Sequence, residues 1–305
     1  MKAKLLITGV AGFIGAKIAS KAIEKGYIVI GVDDLSSGKK ENIPPGIEFY
    51  PYDLSDNKLI EKLPSEIDFI LHLAGQSSGE ISFDNPVRDL EKNTHSTLNL
   101  IQYGIKHKIK KILYASSMSV YGNVEDKAIS EDHEPQPLSC YGVGKRASEQ
   151  YLTIFKDQLP YINFRMFNVY GPGQDLTNMR QGMVSIFLSQ ALKENAVLVK
   201  GSLDRFRDFI YIDDVVDSWL KGIEQDKLKN LTVNLGTGEK TTVGVLVNEI
   251  CQHFDQPKLT VKGTTPGDQF GIFSDTKKLK TYFNIKELTS LQDGIKAFVA
   301  WAKIQ

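Results

Sequence analysis

Lys4-Leu5-Leu6-Ile7-Thr8-Gly9-Val10-Ala11-Gly12-Phe13-Ile14-Gly15 is the stretch that decides the fold. A short apolar run ends at Thr8, glycines stand at positions 9, 12 and 15, and Ile14, Ile18, Ala22 and Ile23 then recur at helical spacing. The order is strand, tight turn, helix. Glycines in such a turn let the backbone approach a pyrophosphate, which then sits on the helix N-terminus. Asp33 ends the next apolar run, 24 residues after Gly9. A carboxylate there hydrogen-bonds a ribose 2′-hydroxyl and repels a 2′-phosphate, favouring NAD over NADP. It also has a plainer use, capping the turn that runs from Asp34 to Ser37.

Working outward, strands are expected over residues 4–8, 27–32, 48–50, 69–73, 111–115 and 163–167, and helices over 13–25, 93–106 and 141–155. Six strands joined by right-handed helical crossovers make a doubly wound parallel sheet, an α/β Rossmann fold. After Tyr170 the texture changes. Gly171-Pro172-Gly173 breaks the pattern, and helix 183–193, a strand and helix over 209–222, Gly236-Thr237-Gly238 and a helix near 243–254 follow. The expected division is a dinucleotide-binding domain, 1–170 with a return segment near 209–235, and a smaller α/β substrate lobe over 171–305. A substrate would sit between the two.

The 305 residues exceed one ordinary core, and 41% hydrophobic with 24% charged residues is the balance of a soluble globular chain. Lys+Arg and Asp+Glu are equal at 37 each, so no global field favours nucleic acid or an anionic membrane. Cys140 and Cys251 have no metal-ligand spacing and form no disulfide framework. The first apolar run is too short for a signal segment or a membrane span, so the cytoplasm is the expected compartment. His72 reads as a hydrogen-bonded strand-end histidine, and no metal site is expected.

Tyr141 and Lys145 stand four residues apart, one turn along a helix face. An ammonium there stabilises a tyrosinate and lowers the phenol toward the range a general base needs. Ser116-Ser117 ends the fifth strand, where a hydroxyl binds an oxygen that exchanges a proton or simply caps the turn. Asp53 follows the third strand and Leu73-Ala74-Gly75 the fourth, both opening on the same crevice.

With these residues in place, the chain resembles the NAD-dependent epimerase/dehydratase group of extended short-chain dehydrogenases/reductases. Within it, the chain is most similar to nucleotide-sugar 4-epimerases of the UDP-glucose 4-epimerase type. The likeness runs through Thr8–Gly15, Val32-Asp33-Asp34-Leu35-Ser36-Ser37-Gly38, His72-Leu73-Ala74, Asn93, Ser119-Val120-Tyr121-Gly122 and Tyr141…Lys145. It continues through Arg165-Met166-Phe167-Asn168, Arg207-Asp208-Phe209, Asn234-Leu235-Gly236-Thr237-Gly238 and Pro266-Gly267-Asp268. The resemblance implies NAD held by Gly9, Gly12, Phe13, Ile14, Gly15, Asp33, Ser37, Gly38, Asp53, Leu54, Leu73, Ala74, Gly75 and Asn93, with Tyr141 and Lys145. It implies Ser117, Tyr141 and Lys145 as catalytic residues, and Ser117, Ser119, Tyr141, Asn168, Arg207 and Asp268 around a nucleotide-diphosphate sugar. Ser117 and Tyr141 would contact the sugar O4, Lys145 the nicotinamide ribose, and Asn168 and Arg207 the diphosphate. It also implies a homodimer built from helices 93–106 and 141–155.

Met118 and Ser119 stand where the group's 4,6-dehydratases carry Asp-Glu, and Ser119 where its decarboxylases keep a glutamate. No extra acid or base remains, which points to 4-epimerisation. In that reaction Tyr141 takes the O4 proton, the C4 hydride passes to NAD, and it returns on the opposite face. A 4-dehydrogenase or 4-ketoreductase is the alternative, and a non-catalytic dinucleotide-sensing protein a more distant one. The sequence departs from the group at Thr265 (usually arginine), at Ser202-Leu203 (usually Asp-Gly) and at Gly144 (usually serine).

Overall fold

The computed structural model describes residues 2–263 and 269–305. The first half runs β1 Lys4–Thr8, α1 Phe13–Glu24, β2 Ile28–Val32, β3 Glu48–Tyr50, α2 Asn57–Ile60, β4 Phe69–His72, α3 Pro86–Leu90, α4 Ser96–Lys106, β5 Lys111–Ser117, α5 Cys140–Ile154 and β6 Tyr161–Met166. The second half adds β7 Asn168–Tyr170, α6 Met183–Glu194, β8 Ala196–Val199, β9 Phe206–Arg207, β10 Phe209–Tyr211, α7 Ile212–Glu224, β11 Leu231–Leu235, β12 Thr241–Thr242, α8 Val243–Cys251, β13 Lys258–Val261, α9 Lys277–Phe283 and α10 Leu291–Ala302.

Six sheet strands are expected from the sequence and seven are found, in the order β11-β6-β5-β4-β1-β2-β3, every neighbouring pair parallel. The seventh, β11, comes back from the second half and pairs Leu231 with Ile162 through Leu235 with Met166. Strand order reverses between β1 and β4, and the crevice outside the carboxyl ends of these strands is where such sheets bind ligands.

Alternation along the strands splits the core in two. Leu5 and Ile7 of β1 face one layer with Leu113, Phe164 and Trp219, while Leu6 faces the other with Ile70, Ile112, Leu100 and Leu152. Trp219 of α7 is fully buried with its ring 5.2 Å from Phe164, fixing the second-half helix to the sheet. The smaller pairings β7–β10, β9–β12 and β8–β13 lie beyond the sheet and carry Asn168, Arg207 and the segment around Lys200.

Candidate active site

The glycine turn is held by backbone packing. Gly9 has φ +71°, and a Cβ on it would meet the Ala74 nitrogen at 2.8 Å; one on Gly15 would meet the Gly9 carbonyl oxygen at 2.1 Å. Helix α1 starts at Gly12 with no side-chain cap and no acid in its first turn, leaving its leading N–H groups open to an anionic ligand. Asp33 shows the plainer of its two expected uses, the turn cap, together with a contact that the sequence did not signal. Its carboxylate accepts from the Leu35 nitrogen at 2.9 Å, capping the turn, and from the Ala11 nitrogen at 3.0 Å, bracing the glycine loop. Burial raises its pKa, opposed by those two N–H groups.

A cleft of about 490 Å³ opens over this turn, lined by Gly9, Gly12, Phe13, Ile14, Gly15, Asp33, Ser37, Gly38, Asp53, Leu54, Leu73, Ala74, Gly75, Tyr141 and Lys145. Its uncapped helix start and the Asp33 carboxylate on its wall fit a dinucleotide. Asn93, expected among the cofactor ligands, does not line it. It is 1% exposed and sits behind Gly75, in a five-residue π-helical segment (Glu91–His95), with Thr97 and Ser148 hydroxyls on its carbonyl. Sequence reasoning missed the ion cluster at the far end. Lys92 bridges Asp34 and Asp53, the latter at 2.6 Å, and Arg88 lies 3.7 Å from Asp53. Burial opposes ionisation of Asp53, but Lys92 and Ser55 outweigh it and hold the acid at about 2. These partners lie far apart along the chain, so no spacing signals them.

At the other end, Ser139 caps α5 by accepting from the Gly142 nitrogen at 3.1 Å and so aims Tyr141 and Lys145 into the cleft. The Lys145 Nζ lies 5.6 Å from the Tyr141 ring centroid and 5.0 Å from that of Tyr114. Burial pushes the phenol up to about 12, with the Ser117 hydroxyl pulling it down and Asp89 pushing it up. Burial lowers the ammonium to about 8, opposed by Asp89. The lysine therefore does not by itself bring the phenol toward neutrality, because it stands over the ring and both groups have left water.

Ser117 accepts from the Ser119 nitrogen at 3.1 Å, so it caps the turn while its hydroxyl stays beside the phenol. Ser116 turns away to Glu149, at 2.6 Å. His72 is fully buried between the hydroxyls of Thr8, at 2.8 Å, and Thr97, at 3.0 Å, as expected of a strand-end histidine.

A second cavity of about 420 Å³ adjoins the cleft, with Met118, Ser119, Ser139, Asn168, Arg205 and Arg207 among its lining. Arg207 is 2% exposed, donating to the carbonyls of Phe206 at 2.7 Å, Gln269 at 2.7 Å and Phe270 at 3.2 Å. Arg207, expected at the diphosphate, thus lies buried on the wall of this cavity. Its neighbour Asp208 accepts from Thr237, Gly238 and Ser274. Asn168 donates to the Asp208 carbonyl at 3.0 Å. Asp268 and Thr265 lie outside the described residues. Arg180, half exposed, pairs with Asp84 at 3.0 Å and Glu80 at 3.4 Å at the rim. Among the described residues no group of His, Cys, Asp or Glu is arranged to hold a metal ion, and no helix is long and apolar enough to cross a membrane.

A glycine turn after the first strand of a parallel sheet, with a buried Tyr–Lys pair on the helix after the fifth, defines a dinucleotide-dependent α/β enzyme. The chain belongs to the NAD dependent epimerase/dehydratase family, whose sequence model matches residues 5–236. It is 34% identical to a UDP-glucose 4-epimerase of Mycolicibacterium smegmatis over 248 residues, covering 78% of this chain and 79% of that one. Its structure resembles that of the Thermotoga maritima UDP-glucose 4-epimerase with UDP-glucose, with TM-score 0.93, 34% identity and 99% of each chain covered. It also resembles the Thermus thermophilus UDP-glucose 4-epimerase complex with NAD, with TM-score 0.91, 29% identity, and 98% of this chain and 99% of that one covered.

Proposed function

We propose that this chain is a nucleotide-sugar 4-epimerase acting on a UDP-hexose or UDP-N-acetylhexosamine. One observation carries the choice among the family's reactions: directly after Ser117, on the wall of the second cavity, stand Met118 and Ser119, which bring no further acid or base. An elimination or decarboxylation needs a second proton-handling group, whereas inversion at C4 needs one base working in both directions. Tyr141 accepts the proton of the sugar O4 and later gives it back to the same oxygen. Ser117 holds that oxygen in reach, and Lys145 keeps a positive charge beside the phenolate. NAD, when bound in the cleft, supplies a hydride acceptor that returns what it takes. Asn168 and Arg207 hold the diphosphate, the guanidinium already oriented by its carbonyl contacts.

The same reading assigns 1–170, with its return strand, to the cofactor and 171–305 mainly to the sugar nucleotide. It includes a homodimer, supported by Val87 and Leu90 on α3 and Val143 and Ile154 on α5, all more than half exposed. It places the protein in the cytoplasm, in keeping with the two free thiols of Cys140 and Cys251.

Native mass spectrometry for bound NAD and nucleotide, followed by assays on UDP-glucose and UDP-N-acetylglucosamine, tests the reading. Conversion to the C4 epimer without net NADH supports it. Stoichiometric NADH appearing or disappearing would instead make the chain a 4-dehydrogenase or 4-ketoreductase, and no turnover with NAD supplied would overturn both.

A further inference from the structure

Behind Gly75 lies a polar cluster that the steps above leave unused. Asp89, on the short helix α3, is 1% exposed, and its Oδ1 accepts from Gln76 at 2.8 Å and from the Asn93 amide nitrogen at 3.2 Å. A carboxylate only accepts, so Asp89 requires Asn93 to turn its nitrogen inward and its oxygen outward. That oxygen has no hydrogen-bond partner among the described residues, and a Cβ on Gly75 would stand 2.5 Å from it and 3.5 Å from Lys145 Nζ. The other Asp89 oxygen, Oδ2, also has no partner among the described residues. It lies 3.6 Å from where a Cβ on Gly144 would be, inside the turn that joins Tyr141 to Lys145. A buried carboxylate with two neutral donors is costly to keep unless a cation stands near, and the ammonium on the adjoining turn is that cation.

We propose that Asp89 is a positioning residue for the Tyr141–Lys145 pair: its carboxylate orients the Asn93 amide toward Gly75 and supplies the buried counter-charge that keeps Lys145 an ammonium. The inference rests on reading that pair as the proton-handling site. The titratable groups facing Lys145 are Tyr141 on its own helix, Tyr114 on β5, His72 on β4 and Asp89 on α3. The two phenols and the buried imidazole are neutral near pH 7, so Asp89 is the acid among them. Burial drives Lys145 toward the neutral amine and Asp89 opposes it.

The test is a ¹³C NMR titration of protein labelled at lysine Cε, with the Lys145 signal assigned through Lys145→Met. Asp89→Asn is expected to lower the Lys145 midpoint by about one pH unit or more and to move the basic limb of the turnover profile the same way. A folded Asp89→Asn protein with an unmoved midpoint overturns the proposal. Should that variant fail to fold, wild type alone decides. Its Lys145 signal must show a second, smaller step in the acid range as Asp89 protonates, and a single-step curve overturns the proposal. The titration needs no substrate. An unmoved Lys145 therefore defeats this inference and leaves the epimerase reading standing, while a moved Lys145 in a protein that epimerises nothing does the reverse.

Discussion

A Cβ placed on Gly15 would stand 2.1 Å from the carbonyl oxygen of Gly9. The first turn of α1 is thus pressed onto the end of β1, backbone against backbone, with no flexible side chain to yield. Gly15→Ala should force the turn apart, lowering stability by about 1–3 kcal/mol and displacing the N–H groups at the helix start. Thermal unfolding and the NAD retained on purification check this. A variant that keeps wild-type NAD and stability would show that the turn has slack.

Tyr141→Phe keeps the ring and its packing and removes the hydroxyl that exchanges the proton. Turnover should fall by about 10³-fold, with bound NAD and the melting temperature little changed. Steady-state rates beside an absorbance measure of cofactor content separate the two effects.

The buried pair of Arg165 and Glu149 ties β6 to α5 through bonds of 2.9 and 2.8 Å, and Ser116 adds a third donor to the same carboxylate. Removing Arg165 leaves the buried Glu149 with only the partly exposed Arg146, at 3.2 Å, as a counter-charge. Arg165→Met alone should cost about 3–5 kcal/mol, and adding Glu149→Leu should recover much of that. Urea midpoints for the two single variants and the double variant give the coupling directly.

The glycine turn, Asp33 and the Tyr141–Lys145 pair were legible in the sequence because each is a local matter of spacing along one strand, turn or helix. Asn93 was legible as a motif residue but not as a buried one, since its depth is set by Gly75 and Ser148, which approach it from other segments. Lys92 carried no local signal because its partners Asp34 and Asp53 lie in the loops that follow strands β2 and β3. Arg207 was legible as a candidate diphosphate ligand, but not what orients it, because its carbonyl partners at Gln269 and Phe270 lie more than 60 residues away. β11 escaped the strand count because its sheet partner, β6, precedes a long excursion through the second half.

His72 makes the stability of the fold pH-dependent in a calculable direction. Burial first, and then Lys145, holds its imidazole down at about 3, against an ordinary value of about 6.5 in the unfolded chain. Between those values the unfolded chain binds the proton and the folded one does not, so stability falls as pH falls from 6.5 and levels off below 3. The slope approaches about 1.4 kcal/mol per pH unit at its steepest. The effect of Lys92 on Asp53 belongs to a lower window, near and below pH 4, so measurements between pH 7 and 5 keep the two apart. His72→Gln retains a polar group between Thr8 and Thr97 but does not titrate. It should be less stable than wild type at pH 7 and lose less on going to pH 5. Urea unfolding of both proteins at the two pH values measures the difference, and parallel losses would place the acid sensitivity elsewhere.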